Sequence, residues 1–208
     1  MMTVDASTPP AHLLTPRPLG QPTATTGEAA TRPRRLPGDT PSTLERMIRV
    51  DHAGEYGAVR IYQGQLAVLG KGPKGELIRH MAEQEVVHKQ TFDRLIQERQ
   101  VRPTALQPFW HMAGWALGAS TALMGERAAM ACTVAVETVI DEHYAAQAEE
   151  LGPEQATLKQ TIEQFRAEEL EHRDIGLEHE AELATGYPVL SNLIKAGARA
   201  AIWLSERF

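Results

Sequence analysis

Two short runs hold the residues that could do chemistry, Gln84-Glu85-Val86-Val87-His88 and Glu168-Glu169-Leu170-Glu171-His172. In each, a Glu stands three residues before a His. Three residues is close to one helical turn, so on a helix the carboxylate and the imidazole project from the same face. A further Glu precedes each run: Glu55 lies 30 residues before Glu85, and Glu137 lies 32 before Glu169. One Glu plus one Glu-x-x-His from each of two helix pairs is the ligand set of a di-iron or di-manganese four-helix bundle. A shell of carboxylates with two imidazoles suits iron or manganese better than zinc or copper. By symmetry Glu55 and His88 would hold one ion, Glu137 and His172 the other, and Glu85 and Glu169 would bridge them. Open coordination positions on such ions point to oxygen activation.

The elements that must position these residues read as two matched helical hairpins. Each interval contains one turn signal, Gly70-Lys71-Gly72-Pro73 in the first and Leu151-Gly152-Pro153 in the second. A helix running out and an antiparallel helix running back bring Glu55 level with Glu85, and Glu137 level with Glu169. Tyr62 follows Glu55 by seven residues, and Tyr144 follows Glu137 by seven. That spacing is two turns and predicts each Tyr on the face of its own Glu. Both tyrosines read as core aromatics with a bonded hydroxyl, and His143-Tyr144 also as a proton and electron relay beside a metal. Asp51 and His52, one turn before Glu55, are candidate partners for the ligands, or for a surface link to a base such as Arg60. Gly54 and Gly57 flank Glu55 and predict a close helix approach or access for a ligand, because glycine inside a helix is otherwise costly.

Helical periodicity predicts helices from Ser42 to about Leu69, then over about 74–100, 126–151, 154–184 and 188–206, with no strand. Between Arg102 and Glu126 lie 23 residues without Asp, Glu, Lys or Arg, including Leu106, Phe109, Trp110, Met112, Trp115 and Leu123. That length just suffices to span a bilayer, but Pro103, Pro108, Gly114 and Gly118 argue against a spanning helix. The stretch reads as a crossover buried between the hairpins or as an interfacial helix, and the two are compatible if one face packs and the other meets lipid. The apolar residues of the last helix, among them Leu190, Leu193, Ile202 and Trp203, would extend the same surface.

Composition bounds the rest. The 208 residues are 42% hydrophobic and 23% charged, enough for a sizeable core. A net charge of -6 argues against a nucleic-acid partner. The acids Glu168, Glu171, Glu178, Glu180 and Glu182 read as a solvated helix face. The one cysteine, Cys132, excludes an internal disulfide framework and reads as a small buried residue. Residues 1–40 are rich in Thr, Ala and Pro without periodicity and read as a disordered tail, leaving 41–208 as the folded domain. The tail carries no apolar segment of the secretory kind.

Three long runs resemble the demethoxyubiquinone hydroxylase family of ubiquinone biosynthesis. They are Arg49-Val50-Asp51-His52-Ala53-Gly54-Glu55-Tyr56-Gly57-Ala58, Ala131-Cys132-Thr133-Val134-Ala135-Val136-Glu137 and Glu168-Glu169-Leu170-Glu171-His172-Arg173-Asp174-Ile175-Gly176-Leu177, and the resemblance extends from about Thr43 to the end. It implies an all-α, ferritin-like four-helix bundle with an extra apolar crossover helix and a C-terminal helix. It implies two Fe ions per chain on Glu55, Glu85, His88, Glu137, Glu169 and His172, with catalytic roles for His143 and Tyr144. The implied activity is an O2-dependent di-iron monooxygenase that hydroxylates the ring of a polyprenylated demethoxyquinol. The implied setting is peripheral, on the cytoplasmic face of a bacterial cell membrane or on the matrix side of the mitochondrial inner membrane. Residues near 104–124 and 188–206 would make the membrane contact, and other ubiquinone-biosynthesis proteins are possible partners. A ferritin-like ferroxidase or peroxidase, and a non-catalytic lipid-binding helical protein, are the alternatives.

Overall fold

Helix α1, Thr43–Leu69, begins at a reciprocal cap. The Ser42 hydroxyl accepts from the Glu45 amide at 3.3 Å, and the Glu45 carboxylate accepts from the Ser42 amide at 2.8 Å. The structure, a computed structural model, describes residues 42–72 and 74–208; the tail expected over 1–40 lies outside the described residues. Five more helices follow: α2 Gly75–Glu98, α3 Gln107–Leu123, α4 Glu126–Glu150, α5 Ala156–Glu178 and α6 Tyr187–Ser205, with short 3-10 turns at Pro153–Gln155 and Ala181–Leu183. There is no strand among the described residues. The chain is the expected all-α, ferritin-like bundle of two helical hairpins, α1–α2 and α4–α5, with α3 and α6 packed outside.

One boundary differs from the periodicity. The fifth helix was expected to reach about residue 184, but α5 ends at Glu178. Glu180 takes a left-handed conformation (φ 60°), and the following turn buries Ala181 and Ala184 against Met130 and Ala131 of α4. Tertiary packing of two alanines stops the helix where no Gly or Pro marks a stop.

Of three apolar clusters among the described residues, two lie along the bundle on either side of the polar layer. One joins Met47, Ile48, Phe92, Tyr144, Ile162 and Phe165; the other joins Tyr62, Ile78, Met81, Met130 and Val134. Along every bundle helix the metal-type residue falls between them: Glu55 between Ile48 and Tyr62, Glu85 between Met81 and Phe92, Glu137 between Val134 and Tyr144, and Glu169 between Phe165 and Ile175. The polar layer is thus closed above and below by hydrocarbon. Cys132 is fully buried, and burial pushes its thiol up to about 12.

Helix α3 lies on α1 at backbone contact. A methyl group at Gly118 would sit 1.9 Å from the Ile61 carbonyl oxygen, and one at Gly64 2.2 Å from the Trp115 carbonyl oxygen. Small residues turn toward α1, while Phe109, Met112 and Leu123 of α3 stay exposed. The stretch is therefore not a crossover buried between the hairpins: one face packs on α1 and the other faces outward. At 17 residues α3 is about 25 Å long, and among the described residues no helix is long and apolar enough to cross a membrane.

Gly118→Ala should force α3 off α1. Thermal unfolding of the variant is expected to show a loss of about 1–3 kcal/mol, because the obstructing atom is backbone and cannot rotate away.

Candidate metal centre

The six ligand-type residues predicted from spacing converge. Glu55, Glu85, His88 and Glu169 each offer one ligand atom in a group whose members all lie within 4.8 Å of one another, and Glu85, Glu137, Glu169 and His172 form a second such group. All six side chains are buried. Glu85 and Glu169 belong to both groups, the arrangement expected of bridging carboxylates. The offsets of 30 and 32 residues work because short loops make each hairpin antiparallel.

The imidazoles point Nδ1 inward. His88 Nδ1 lies 3.0 Å from Glu169 Oε1, 3.5 Å from Glu55 Oε2 and 3.9 Å from Glu85 Oε2. His172 Nδ1 lies 3.1 Å from Glu85 Oε1 and 3.2 Å from Glu169 Oε2. Two buried carboxylate oxygens, Glu85 Oε2 and Glu137 Oε2, have no hydrogen-bond donor, and Glu55 Oε2 and Glu85 Oε1 face only the inward imidazole nitrogens at 3.5 and 3.1 Å. Buried anions without donors are strongly unfavourable unless a cation or a proton meets them. The donor set, all carboxylate oxygen and imidazole nitrogen, fits two iron or manganese ions, and this chain carries the di-iron type of site.

Electrostatics shows the same crowding. Burial, then the charge of Glu169, raises Glu85 to about 8. Burial and the neighbouring carboxylates Glu169, Glu85 and Glu55 hold Glu137 well above the usual range, and burial raises Glu55 as well. Burial works the other way on His172, but hydrogen bonds to Glu169 and Glu85 outweigh it and raise it to about 9. His88 is raised for the same reason by Glu168, Glu169 and Glu55. Burial would raise Glu169 too, yet His172 and His88 hold it down at about 2. Protons therefore occupy positions where cations would relieve the charge.

Each Tyr lies buried on the inward face of its helix with its own Glu, as the spacing predicts, and its hydroxyl crosses the bundle. Neither reaches the Glu of its own helix. Tyr62 donates to Glu137 Oε1 at 3.2 Å, and Tyr144 donates to Glu55. Seven residues carry a side chain about 10 Å along a helix, so each hydroxyl serves the facing hairpin instead. His143 stands further out: its Nε2 is 3.3 Å from Asp51 Oδ1 and 2.8 Å from Gln147 Nε2, and it contacts none of the six. His52 pairs with Asp93 at 3.0 Å, and Arg60 donates to the His111 carbonyl at 3.1 Å rather than to Asp51.

Glu168, read as solvated helix surface, belongs here, and so does Gln84. Glu168 Oε2 accepts from His88 Nε2 at 2.6 Å, and Gln84 Oε1 accepts from His172 Nε2 at 2.9 Å. Each immediately precedes a Glu shared by both groups, Glu85 or Glu169, and in the second hairpin a run of acids concealed that signal.

An apolar groove of about 520 Å³ opens between α1, α3, α4 and α6. Gly54 and Gly57, on either side of Glu55, form part of its wall, opposite Leu117, Leu193 and Ile202. Nothing lies within 4 Å of where a methyl group on Gly57 would sit. Trp110 Nε1 donates to Ser205 Oγ at 3.1 Å and ties α3 to α6 across the groove.

Comparison with known proteins agrees with this geometry. The family profile of the ubiquinone biosynthesis protein COQ7 matches residues 42–205. The 3-demethoxyubiquinol 3-hydroxylase of Rhodospirillum rubrum is 60% identical over 176 residues, covering 83% of both chains. The mitochondrial NADPH-dependent 3-demethoxyubiquinone 3-hydroxylase of Rattus norvegicus is 56% identical over 171 residues, 80% of this chain and 79% of its own. The mitochondrial 5-demethoxyubiquinone hydroxylase of Saccharomyces cerevisiae is 44% identical over 181 residues, 79% of this chain and 78% of its own.

The raised groups set the pH dependence of the metal-free protein. A group whose pKa is higher in the folded chain favours folding at low pH. The contribution of His172 is complete below 6.5 and is lost as pH rises through about 9; that of Glu85 is complete below 4.5 and is lost through about 8. In a chelating buffer the melting temperature is expected to fall between pH 6.5 and 9, read by circular dichroism. Two divalent ions bind the deprotonated ligands and should remove most of that fall.

Proposed function

Because the chain belongs to the COQ7 family of ubiquinone biosynthesis proteins, a family of oxidoreductases, we propose that it hydroxylates the ring of a polyprenylated demethoxyquinol with O2. Glu55, Glu85, His88, Glu137, Glu169 and His172 are the proposed iron ligands. These residues would hold two irons, which when reduced would offer open positions and two electrons for oxygen activation, with a reductant outside the chain restoring them each turnover. The observation that carries the substrate assignment is the apolar groove, whose wall includes the two glycines flanking Glu55. A flat ring fits against Gly54 and Gly57, and an isoprenoid tail fits between α3 and α6.

The remaining work falls to named residues. The apolar clusters on both sides of the polar layer exclude water from it. Tyr144 and Tyr62 hold protons at Glu55 and Glu137. Tyr144 is assigned the catalytic proton position on that ground. His143 is assigned the position between Tyr144 and solvent, with its ring 6.3 Å from the Tyr144 ring and its edge partly exposed. The outward side chains Phe109, Met112 and Leu123 on α3 and Val189, Leu193 and Trp203 on α6 support membrane contact near 104–124 and 188–206. A substrate of this class stays in lipid, and the groove opens beside that surface. Its bacterial and mitochondrial relatives support a peripheral place on the cytoplasmic face of a bacterial membrane, or the matrix face of a mitochondrial one.

Reduced, iron-loaded protein given a demethoxyquinol and isotopically labelled oxygen gas should yield quinone carrying one labelled atom, read by mass spectrometry. Oxygen consumption and iron oxidation without labelled product would make the protein a ferroxidase instead. Glu85→Ala and Glu169→Ala should each lose bound iron and at least a hundredfold of product formation. Gly57→Leu should keep two irons per chain yet lower product at least tenfold by filling the groove.

A further inference from the structure

The two hairpins match residue by residue around the polar layer. Gln65 and Gln147 each follow their Tyr by three residues. Gln65 Nε2 donates to Thr133 Oγ1 at 3.4 Å, and Gln147 Nε2 donates to Asp51 Oδ1 at 2.7 Å. Thr133 and Asp51 stand four residues before Glu137 and Glu55. Gln84 and Glu168 are equivalent in the same way. Each precedes a bridging Glu, and each accepts from the outward nitrogen of the other hairpin's His.

The match breaks in charge, and it breaks twice on the same side. His88 donates to a carboxylate at 2.6 Å, whereas His172 donates to a carboxamide at 2.9 Å. The Glu55 side also has Asp51, paired with His143 at 3.3 Å, where the Glu137 side has the neutral Thr133. A carboxylate acceptor makes the shorter, charge-assisted bond and makes the opposite ring nitrogen a stronger donor to a metal.

We propose that Glu168 and Gln84 are positioning residues that make the two ion positions chemically unequal. The position of Glu55 and His88 is the electron-rich one. It holds its divalent ion more tightly and keeps a ferric ion to lower potential, so reduction of a diferric pair starts at the position of Glu137 and His172. This inference rests on the proposed ligand set and extends it to residues that touch the imidazoles rather than the ions.

Anaerobic titration of the full chain with ferrous iron should give two unequal stepwise binding constants. The Mössbauer spectrum of the loaded protein should show two resolved ferrous doublets of equal area. Glu168→Gln is expected to weaken the tighter constant about tenfold and draw the doublets together. Gln84→Glu should strengthen the weaker constant by a similar factor and also draw them together. The double exchange should separate them again, less widely than in the wild-type chain, since it reverses the two imidazole acceptors while Asp51 stays on the Glu55 side. All three variants keep size and hydrogen-bonding shape, so a purely structural role predicts no pattern of convergence and recovery. If the wild-type chain takes up two irons and neither single exchange moves a constant or a doublet, the inference is overturned and the ligand set stands. Uptake of fewer than two irons by the wild-type chain would overturn both.

Discussion

Four carboxylates and two imidazoles share a layer that water does not reach. At that depth like charges repel strongly, and a carboxylate oxygen without a donor loses its hydration for nothing. The layer persists only if protons or metal ions neutralise it. The rest of the bundle is arranged to hold it shut regardless. Two apolar clusters clamp it, short loops keep each hairpin in register, and two tyrosine hydroxyls satisfy the outer carboxylates. Removing the charge would make the metal-free protein easier to fold and would abolish the site, a conflict usual where binding machinery is buried.

The directional bonds of this layer cross from one hairpin to the other. Tyr62 reaches Glu137, Tyr144 reaches Glu55, His88 reaches Glu168 and His172 reaches Gln84. Apolar contacts between the halves set proximity but tolerate sliding. Hydrogen bonds at about 3 Å do not, so the polar layer registers the two halves against each other. The same bonds orient the imidazoles with Nδ1 inward, which is the condition for binding ions at all.

What the sequence revealed follows from this division. Glu55, Glu85, His88, Glu137, Glu169 and His172 were legible because helix period and hairpin length alone bring them level. The partners across the bundle were not, because spacing within one helix says nothing about which side chain of a facing helix lies opposite. Spacing put Tyr62 and Tyr144 on the inward face with their own Glu but could not name the facing Glu that each hydroxyl serves, and Glu168 was taken for solvated surface within a run of acids. The end of α5 was missed for a related reason: Ala181 and Ala184 stop it by packing on α4, and alanine is otherwise a good helix former.

The uncharged stretch before α4 reads differently once its packing is known. Small residues at Gly114 and Gly118 let α3 approach α1 at backbone distance, and an amphipathic split follows. The side that touches α1 has no room for large side chains, so Phe109, Met112 and Leu123 must point away from it. That geometry opens a groove instead of closing one, because a helix held by its backbone leaves space beside the contact where large side chains would otherwise interlock. The groove reaches the turn of α1 that carries Glu55, since Gly54 and Gly57 add nothing to fill it. One packing decision between two helices thus produces both the outward apolar surface and the groove that runs along the turn of α1 carrying Glu55.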